Sequence, residues 1–429
     1  MTADFRLKSL VLAVAFSCSI LMTGRPTFAQ GSPDVVIEWS RVTVAALAVP
    51  GALPPTVFIT RPLAMVHVAM FDALNSIDPQ YSPYFIAVTV PANTSRDVAA
   101  AKAARDVLVA AIPAQTATFD AALSATVARV TDATAVANGL AVGAEAARAT
   151  IAGRANDGWN RPAIPYSNPP LPGYWQPTPT ANAPATFAHY ADVQGFVIPS
   201  ASRYLVEAPP ALTSTRYAAD FNEVKAIGGA TGSTRTPEQT ALAQMWAAVG
   251  NTTNANTAWQ VAMQDLVRTR SLNGLDAARM FALVNMVGHD ALWTSFSGKF
   301  VYGLWRPVTA IREAARDGNA GTEADPAWLA LLPTPPYPTY PGNMACFGAS
   351  QAQTLSRIFG RDDIPVTITW TVTGGPNIVR SYNGFRQIAD EEARSRVLGG
   401  IHFTFDNLAS IGACNPIGDY GFDNYLRKR

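Results

Sequence analysis

The 429-residue chain carries 32 Lys and Arg against 31 Asp and Glu, a net charge of +1, and 48% of its residues are hydrophobic. Such near neutrality gives no reason to expect nucleic acid or an anionic membrane surface as partner. The length is enough to bury a large core, and alone would allow about two to three domains. At the N-terminus, Arg6 and Lys8 precede an apolar run over 10–22, and Thr27-Phe28-Ala29 offers a small-x-small cleavage site. Residues 1–29 are therefore expected to be an export signal that takes Cys18 with it and leaves 30–429 as a secreted or periplasmic protein. The run is too short to span a membrane, and no later stretch reads as a transmembrane helix.

Apolar residues recur at three- and four-residue spacing over 35–49, 61–75, 97–112, 117–130 and 133–156, which predicts five helices, alanine-rich and able to pack closely. His67 sits among Met65, Val66, Val68 and Met70, so it is expected as a core histidine and not a ligand. From 158 to 210 prolines and aromatics crowd together without a helical period. That predicts an ordered strap anchored by Trp175, Phe187, Tyr190 and Phe196, with His189 on the surface. Thr236-Pro237-Glu238-Gln239 is a capping box with proline at the first helical position. A long helix follows over 271–296, carrying His289 in a packing role. Strand-like alternation is confined to 364–372, enough for a short hairpin. The fold class expected is all-α.

Lys299 and Arg306 lie seven residues apart, two helical turns, with Pro307 directly after the arginine. This predicts two cations on one helix face, with the helix left near Trp305 and Arg306 at the rim. A lysine point charge beside an arginine fork suits a tetrahedral oxyanion; a solvated helix face is the alternative. Downstream, Tyr340-Pro341-Gly342-Asn343-Met344-Ala345 opens a helix with Asn343 as expected N-cap and Gly360 as its stop. A charged helical run from Asp390 ends at Gly399-Gly400 and places Ser395, Arg396 and His402 in the pattern Ser-Arg-x5-His. Two cysteines remain in the mature chain: Cys346 and Cys414 are either a disulfide or two buried thiols. A phosphate-binding Gly-rich loop, Cys-x-x-Cys, His-Glu-x-x-His and Gly-x-Ser-x-Gly are all missing from the sequence.

Lys-x6-Arg-Pro followed by Ser-Arg-x5-His resembles the first and third signature motifs of the superfamily uniting vanadium-dependent haloperoxidases and type 2 phosphatidic acid phosphatases. RPLAMVHVAMFDA, WRPVTAIR and GGIHF resemble its bacterial haloperoxidase-like branch. The resemblance implies packed helical bundles, with the site in a bundle spanning about 216–429. It implies vanadate as cofactor, bound through His402 as the metal ligand and cradled by Lys299, Arg306 and Arg396, with Lys299 polarising bound peroxide. Substrates would be hydrogen peroxide and halide, and the oligomeric state stays open. The superfamily's middle motif, Ser-Gly-His, is replaced by Gly342-Asn343-Met344. Gly342 and Asn343 still offer a helix N-terminus to an anion, but a methionine cannot act as a general acid. Under the phosphatase alternative His402 becomes the nucleophile, a phosphohistidine forms from a phosphate ester, and the lost general acid is costly. The third alternative is a non-catalytic oxyanion-binding protein. The peroxidase ranks first because vanadate chemistry depends on the cradle before the proton relay.

Overall fold

The computed structural model describes residues 33–429 apart from 55, 248–252 and 373. The expected export signal, with Cys18, lies outside the described residues. The N-terminal half contains α1 (Pro33–Ala48), α2 (Thr60–Ile77), α3 (Arg96–Ala111), α4 (Thr116–Val127) and α5 (Ala133–Gly153), close to the predicted bounds. Local chemistry sets two of the starts: Ser95 Oγ accepts from the Val98 N–H at 3.3 Å and Asp132 from Ala135 at 2.9 Å. Beyond the strap come α6 (Thr215–Ile227), α7 (Pro237–Ala247), α8 (Ala258–Thr269), α9 (Gly274–Tyr302) and α10 (Pro307–Arg312). The predicted capping box opens α7, with Thr236 and Gln239 exchanging side-chain to backbone bonds at 3.0 and 3.2 Å. The C-terminal part holds α11 (Asn343–Phe359), α12 (Phe385–Leu398) and α13 (Thr404–Asn424). Between α11 and α12 a hairpin pairs β1 (Val366–Trp370) with β2 (Ile378–Tyr382), Val366 opposite Tyr382.

The architecture is all-α, and α9 is its axis. This 29-residue helix packs against α2 on the N-terminal side and against α11 and α13 on the C-terminal side. One apolar cluster runs continuously from Trp39 and Phe71 through Phe281 and Leu292 to Phe347 and Ile388. A smaller cluster, with Tyr217, Phe221, Trp305, Ile311, Phe403 and Phe405, closes the opposite flank of the C-terminal part. The helix α9 ends at Tyr302, earlier than the sequence suggested, because Gly303 adopts φ 60° and returns its N–H to the Lys299 carbonyl. The stretch Thr56–Ile77 is, contrary to the sequence reading, long and apolar enough to cross a membrane by composition. In the fold 94% of its apolar window is buried inside the protein, so that apolarity builds core.

The strap is ordered, and buried charge holds it. Asp290, fully buried on α9, accepts the N–H groups of Phe196, Val197 and Ile198 at 2.6 to 2.8 Å. Arg154 donates to the carbonyls of Gly195 and Gln194 and pairs with Asp157. Trp175, Tyr190 and Phe196 are buried as expected, and Phe187 is packed against the core. His189 corrects the sequence reading: it is buried, packed near the Phe58 ring, because the short turn at Ala188–Asp192 folds inward. His67 is the core histidine expected, bonded to the Leu63 carbonyl and stacked on Phe281, with burial holding it down to about 4. His289 bonds Thr60 and Tyr190, a packing role as expected.

Cys346 on α11 and Cys414 on α13 form a disulfide that closes a loop of sequence separation 68. Thiol titration of the denatured, unreduced chain should therefore detect neither cysteine. The Cys346→Ala/Cys414→Ala pair should lower thermal stability, since loop closure on this scale contributes about 4 kcal/mol in the chain-entropy model. For the strap, Asp290→Ala leaves three buried N–H groups unpaired, at about 1–3 kcal/mol each. Its melting temperature should drop sharply and hydrogen exchange at 196–198 should accelerate; unchanged exchange there would show that Asp290 is not the anchor.

Candidate functional site

The residues singled out in the sequence do converge, though by a different route from the one predicted. Lys299 and Arg306 do not share a helix face, because α9 has ended before Arg306. Residues 303–306 instead fold back between the strap and the 337–339 segment, with the Trp305 N–H on the Gly173 carbonyl and the Thr339 N–H on the Leu304 carbonyl. Arg306 caps α10 with extended backbone and is fully buried, where the sequence placed it at a rim. Its Nε donates to the Tyr337 carbonyl at 2.8 Å and its Nη1 to the Ile401 carbonyl at 2.7 Å. The same Nη1 lies 3.2 Å from His402 Nε2, while Nη2 is buried with no protein partner.

Lys299 is also fully buried, and its Nζ donates to the carbonyls of Pro338, Thr339 and Pro341 at 3.1, 2.8 and 2.6 Å. Three acceptors match the three N–H bonds of an ammonium. Burial, and then Arg306, push its pKa well below the ordinary lysine range. Its hydrogen bonds shape the turn before α11. Arg396, in the last turn of α12, donates from Nε to Ser395 Oγ at 3.1 Å. Ser395 is in turn held by the Glu392 carbonyl at 2.6 Å, and Arg396 Nη2 is buried without a protein partner.

His402 lies in the short link between α12 and α13. Gly400 makes the link possible, with φ 76° and so close to the Gly228 carbonyl that a Cβ would sit 2.3 Å from its oxygen. His402 Nδ1 lies 2.9 Å from Asp406 Oδ2, four residues on, and Thr339 Oγ1 donates to the same carboxylate at 2.5 Å. An N–H at Nδ1 facing the carboxylate leaves Nε2 as the basic nitrogen. Burial, then Arg306, Lys299 and Arg396, hold His402 well below the ordinary histidine range, so the ring is neutral at neutral pH. Asp406 and Thr339 escaped the sequence reading. The four-residue spacing of His402 and Asp406 is the signal that marks the pair.

The middle segment differs in one detail. Gly342, not Asn343, is the N-cap of α11, and Asn343 is its first helical residue. The Gly342 N–H donates to the Asp406 carbonyl at 3.1 Å, which joins the start of α11 to α13. Asn343, Met344, Arg396 and His402 are among the residues that line a cavity of about 530 Å³. Its other walls are largely apolar and include Leu47, Val49, Leu53, Ile59, Trp246 and Leu332.

Charge decides what such a site can hold. Burial brings Arg306 and Arg396 down to about 10, which leaves both cationic at neutral pH. Of the two nearby buried carboxyls, Glu392 is pushed up to about 8 by burial, and so is protonated, and Asp406 is engaged by His402 and Thr339. The cluster is thus net positive, with two guanidinium Nη2 groups unpaired. Among the described residues no group of three His, Cys, Asp or Glu side chains converges as a cation site. Forked N–H donors and one basic imidazole nitrogen fit a tetrahedral oxyanion such as vanadate or phosphate.

Comparison with known proteins bears on the fold and on the C-terminal bundle. The family model of the VCPO second helical-bundle domain matches residues 279–428. Vanadium chloroperoxidase of Curvularia inaequalis is 26% identical over 272 residues, 49% of this chain and 44% of that protein, so the chain spans less than half of its length. A bacterial vanadium-dependent iodoperoxidase superposes with TM-score 0.78 at 19% identity, covering 93% of this chain and 98% of that one. For a holo-type bacterial vanadium-dependent chloroperoxidase the values are 0.67 and 17%, covering 92% and 98%. At these identities the structural likenesses speak for the fold, and the matched bundle and the curated relative show that residues 279–428 are similar to the second helical bundle of vanadium chloroperoxidase.

Proposed function

We propose that the protein is a vanadium-dependent haloperoxidase, exported to an oxidising compartment where Cys346 and Cys414 pair. The observation that carries this reading is the buried positive cluster in which two guanidinium Nη2 groups lack protein partners beside the basic Nε2 of His402. His402 would hold the vanadium, and Arg306 and Arg396 would donate to its oxygens, with Gly342 and Asn343 at the helix start beside them. When bound, vanadate would activate hydrogen peroxide for oxidation of a halide. Asp406 keeps the Nδ1 proton in place and so keeps the Nε2 lone pair available. Lys299 fixes the 338–341 turn and adds charge. The apolar stretches of the cavity wall lower the local dielectric, which strengthens these charge interactions.

Phosphate-ester hydrolysis is the weaker reading because the middle position is Met344, whose thioether cannot protonate a leaving alcohol. Isothermal titration should show vanadate and phosphate competing for one site. Since burial and the neighbouring cations hold His402 neutral well below the ordinary range, vanadate affinity should not fall as pH drops through about 6.5. His402→Ala should abolish a vanadium adduct while retaining weaker electrostatic binding, and Arg396→Ala should cost about ten- to a hundredfold in affinity. No heat with either anion at low salt would end the oxyanion reading.

A second test restores the missing proton donor. A histidine at 344 would stand at the start of α11, in the lining of the cavity that Arg396 and His402 also line. Restoring serine at 342 as well would require Asn407 to shift, since a Cβ there would lie 2.5 Å from its Oδ1. The double variant Asn343→Gly/Met344→His should raise peroxide-dependent halide oxidation by up to about 10²-fold, the lower end for a positioned acid–base group. Anion affinity should change less than turnover. A folded, vanadate-binding variant with no gain in halide oxidation would count against the haloperoxidase assignment.

A further inference from the structure

Met344 stands where the resemblance expects a histidine, yet it is not simply one more core residue. Seven methionines fall among the described residues, and exposure does not separate them: Met344 is 6% exposed, Met65 3% and Met245 7%. Their place relative to the cavity does separate them. Met344 lines the 530 Å³ cavity together with His402 and Arg396, whereas Met65, Met70, Met245, Met263, Met280 and Met286 do not line it. Any small oxidant that reaches the site reaches this thioether. Arg396, which lines the same cavity, has a buried Nη2 with no protein partner.

We infer that Met344 is a redox-modification site, at which a peroxide entering the cavity oxidises the thioether and the resulting sulfoxide accepts a hydrogen bond from Arg396, weakening anion binding. The inference rests on the peroxide-using reading for its physiological oxidant. The chemistry balances as it stands. The sulfur lone pair attacks one peroxide oxygen, the S–O bond forms as the O–O bond breaks, and the departing hydroxide takes the proton of the transferred oxygen and leaves as water. Sulfur loses two electrons and the peroxide gains them. The flexible apolar side chain becomes a polar acceptor on the cavity wall. A guanidinium N–H that serves the sulfoxide no longer serves an oxyanion, so the modification couples peroxide exposure to loss of anion affinity.

The test exposes the folded protein to hydrogen peroxide, with and without vanadate, and maps oxidation by peptide mass. The peptide holding Met344 should gain one oxygen before any peptide holding the other six, and sooner when vanadate is present. Phosphate affinity, measured by titration after the peroxide is removed, should fall about tenfold, the equivalent of one hydrogen bond to a charged group. Met344→Leu keeps a similar apolar volume without the sulfur, so its phosphate affinity should be unaffected by the same treatment. Oxidation of Met344 no earlier than the six that do not line the cavity would overturn the inference. So would an unchanged phosphate affinity in protein fully oxidised at Met344. Failure of the untreated protein to bind phosphate or vanadate would instead sink the oxyanion reading, and the order of methionine oxidation would still decide this one.

Discussion

The site depends on an excess of buried positive charge. Arg306 and Lys299 are fully buried and Arg396 nearly so, and Asp406 is the one nearby carboxylate engaged in pairing. Taking such charges out of water is costly unless each finds partners. The fold supplies most of them from its own backbone: three carbonyls for Lys299, two for Arg306, and a serine hydroxyl for Arg396. The Tyr337 ring adds a face, with the Arg306 guanidinium 4.9 Å and the Lys299 ammonium 5.4 Å from its centroid. Against these partners stand the two Nη2 groups, one on each arginine, which are buried with no protein partner. An anion is the ligand that completes such an arrangement.

The same demand explains the shape of the backbone around the site. The turn at 337–341 gives up four carbonyls to Lys299 and Arg306, so it must stay close to α9 and to the 303–306 link. The link from α12 to α13 must pass tightly against Gly228 to bring the Ile401 carbonyl to Arg306 and the His402 ring to Asp406. The disulfide between Cys346 and Cys414 joins α11 to α13, the two helices that carry Met344 and Asp406. Rigidity here serves preorganisation, because donors that are already fixed need not be ordered when the anion arrives.

Much of this was legible in the sequence, for physical reasons that also mark where legibility ended. The helices could be placed because their apolar periodicity and caps are local properties, as at Ser95, Asp132 and Thr236. Lys299, Arg306, Arg396 and His402 stood out by spacing and by resemblance. The burial of Arg306, the carbonyl cage of Lys299 and the inward position of His189 were not legible. Each depends on a segment distant in the chain, namely the 337–341 turn, the 401 link and Phe58. Seven-residue spacing suggested one helix face, but a glycine at 303 ended that helix and tertiary hydrogen bonds restored the convergence. Asp406 was missed even though its spacing from His402 is local, because an aspartate at the start of a helix reads first as a dipole or capping residue. Here it does both jobs, accepting the Phe403 N–H at 3.0 Å while it orients His402.

The two halves of the molecule contribute differently to the cavity. Arg396 and His402 bring the cation and the basic nitrogen to its lining. Leu47, Val49, Leu53 and Ile59, from the end of α1 and the approach to α2, bring much of the apolar wall. A wall of that kind adds little to the grip on an anion directly, but it lowers the local dielectric and so strengthens every guanidinium contact beyond it. It also decides what else can enter, since an apolar cavity of this volume is within the range that admits small organic molecules. The charged groups and the apolar wall therefore come from different parts of the chain. Because α9 packs against both halves, a change in the α2 interface can reshape the wall while the charged end, clamped by its own carbonyls and by the disulfide, stays in place.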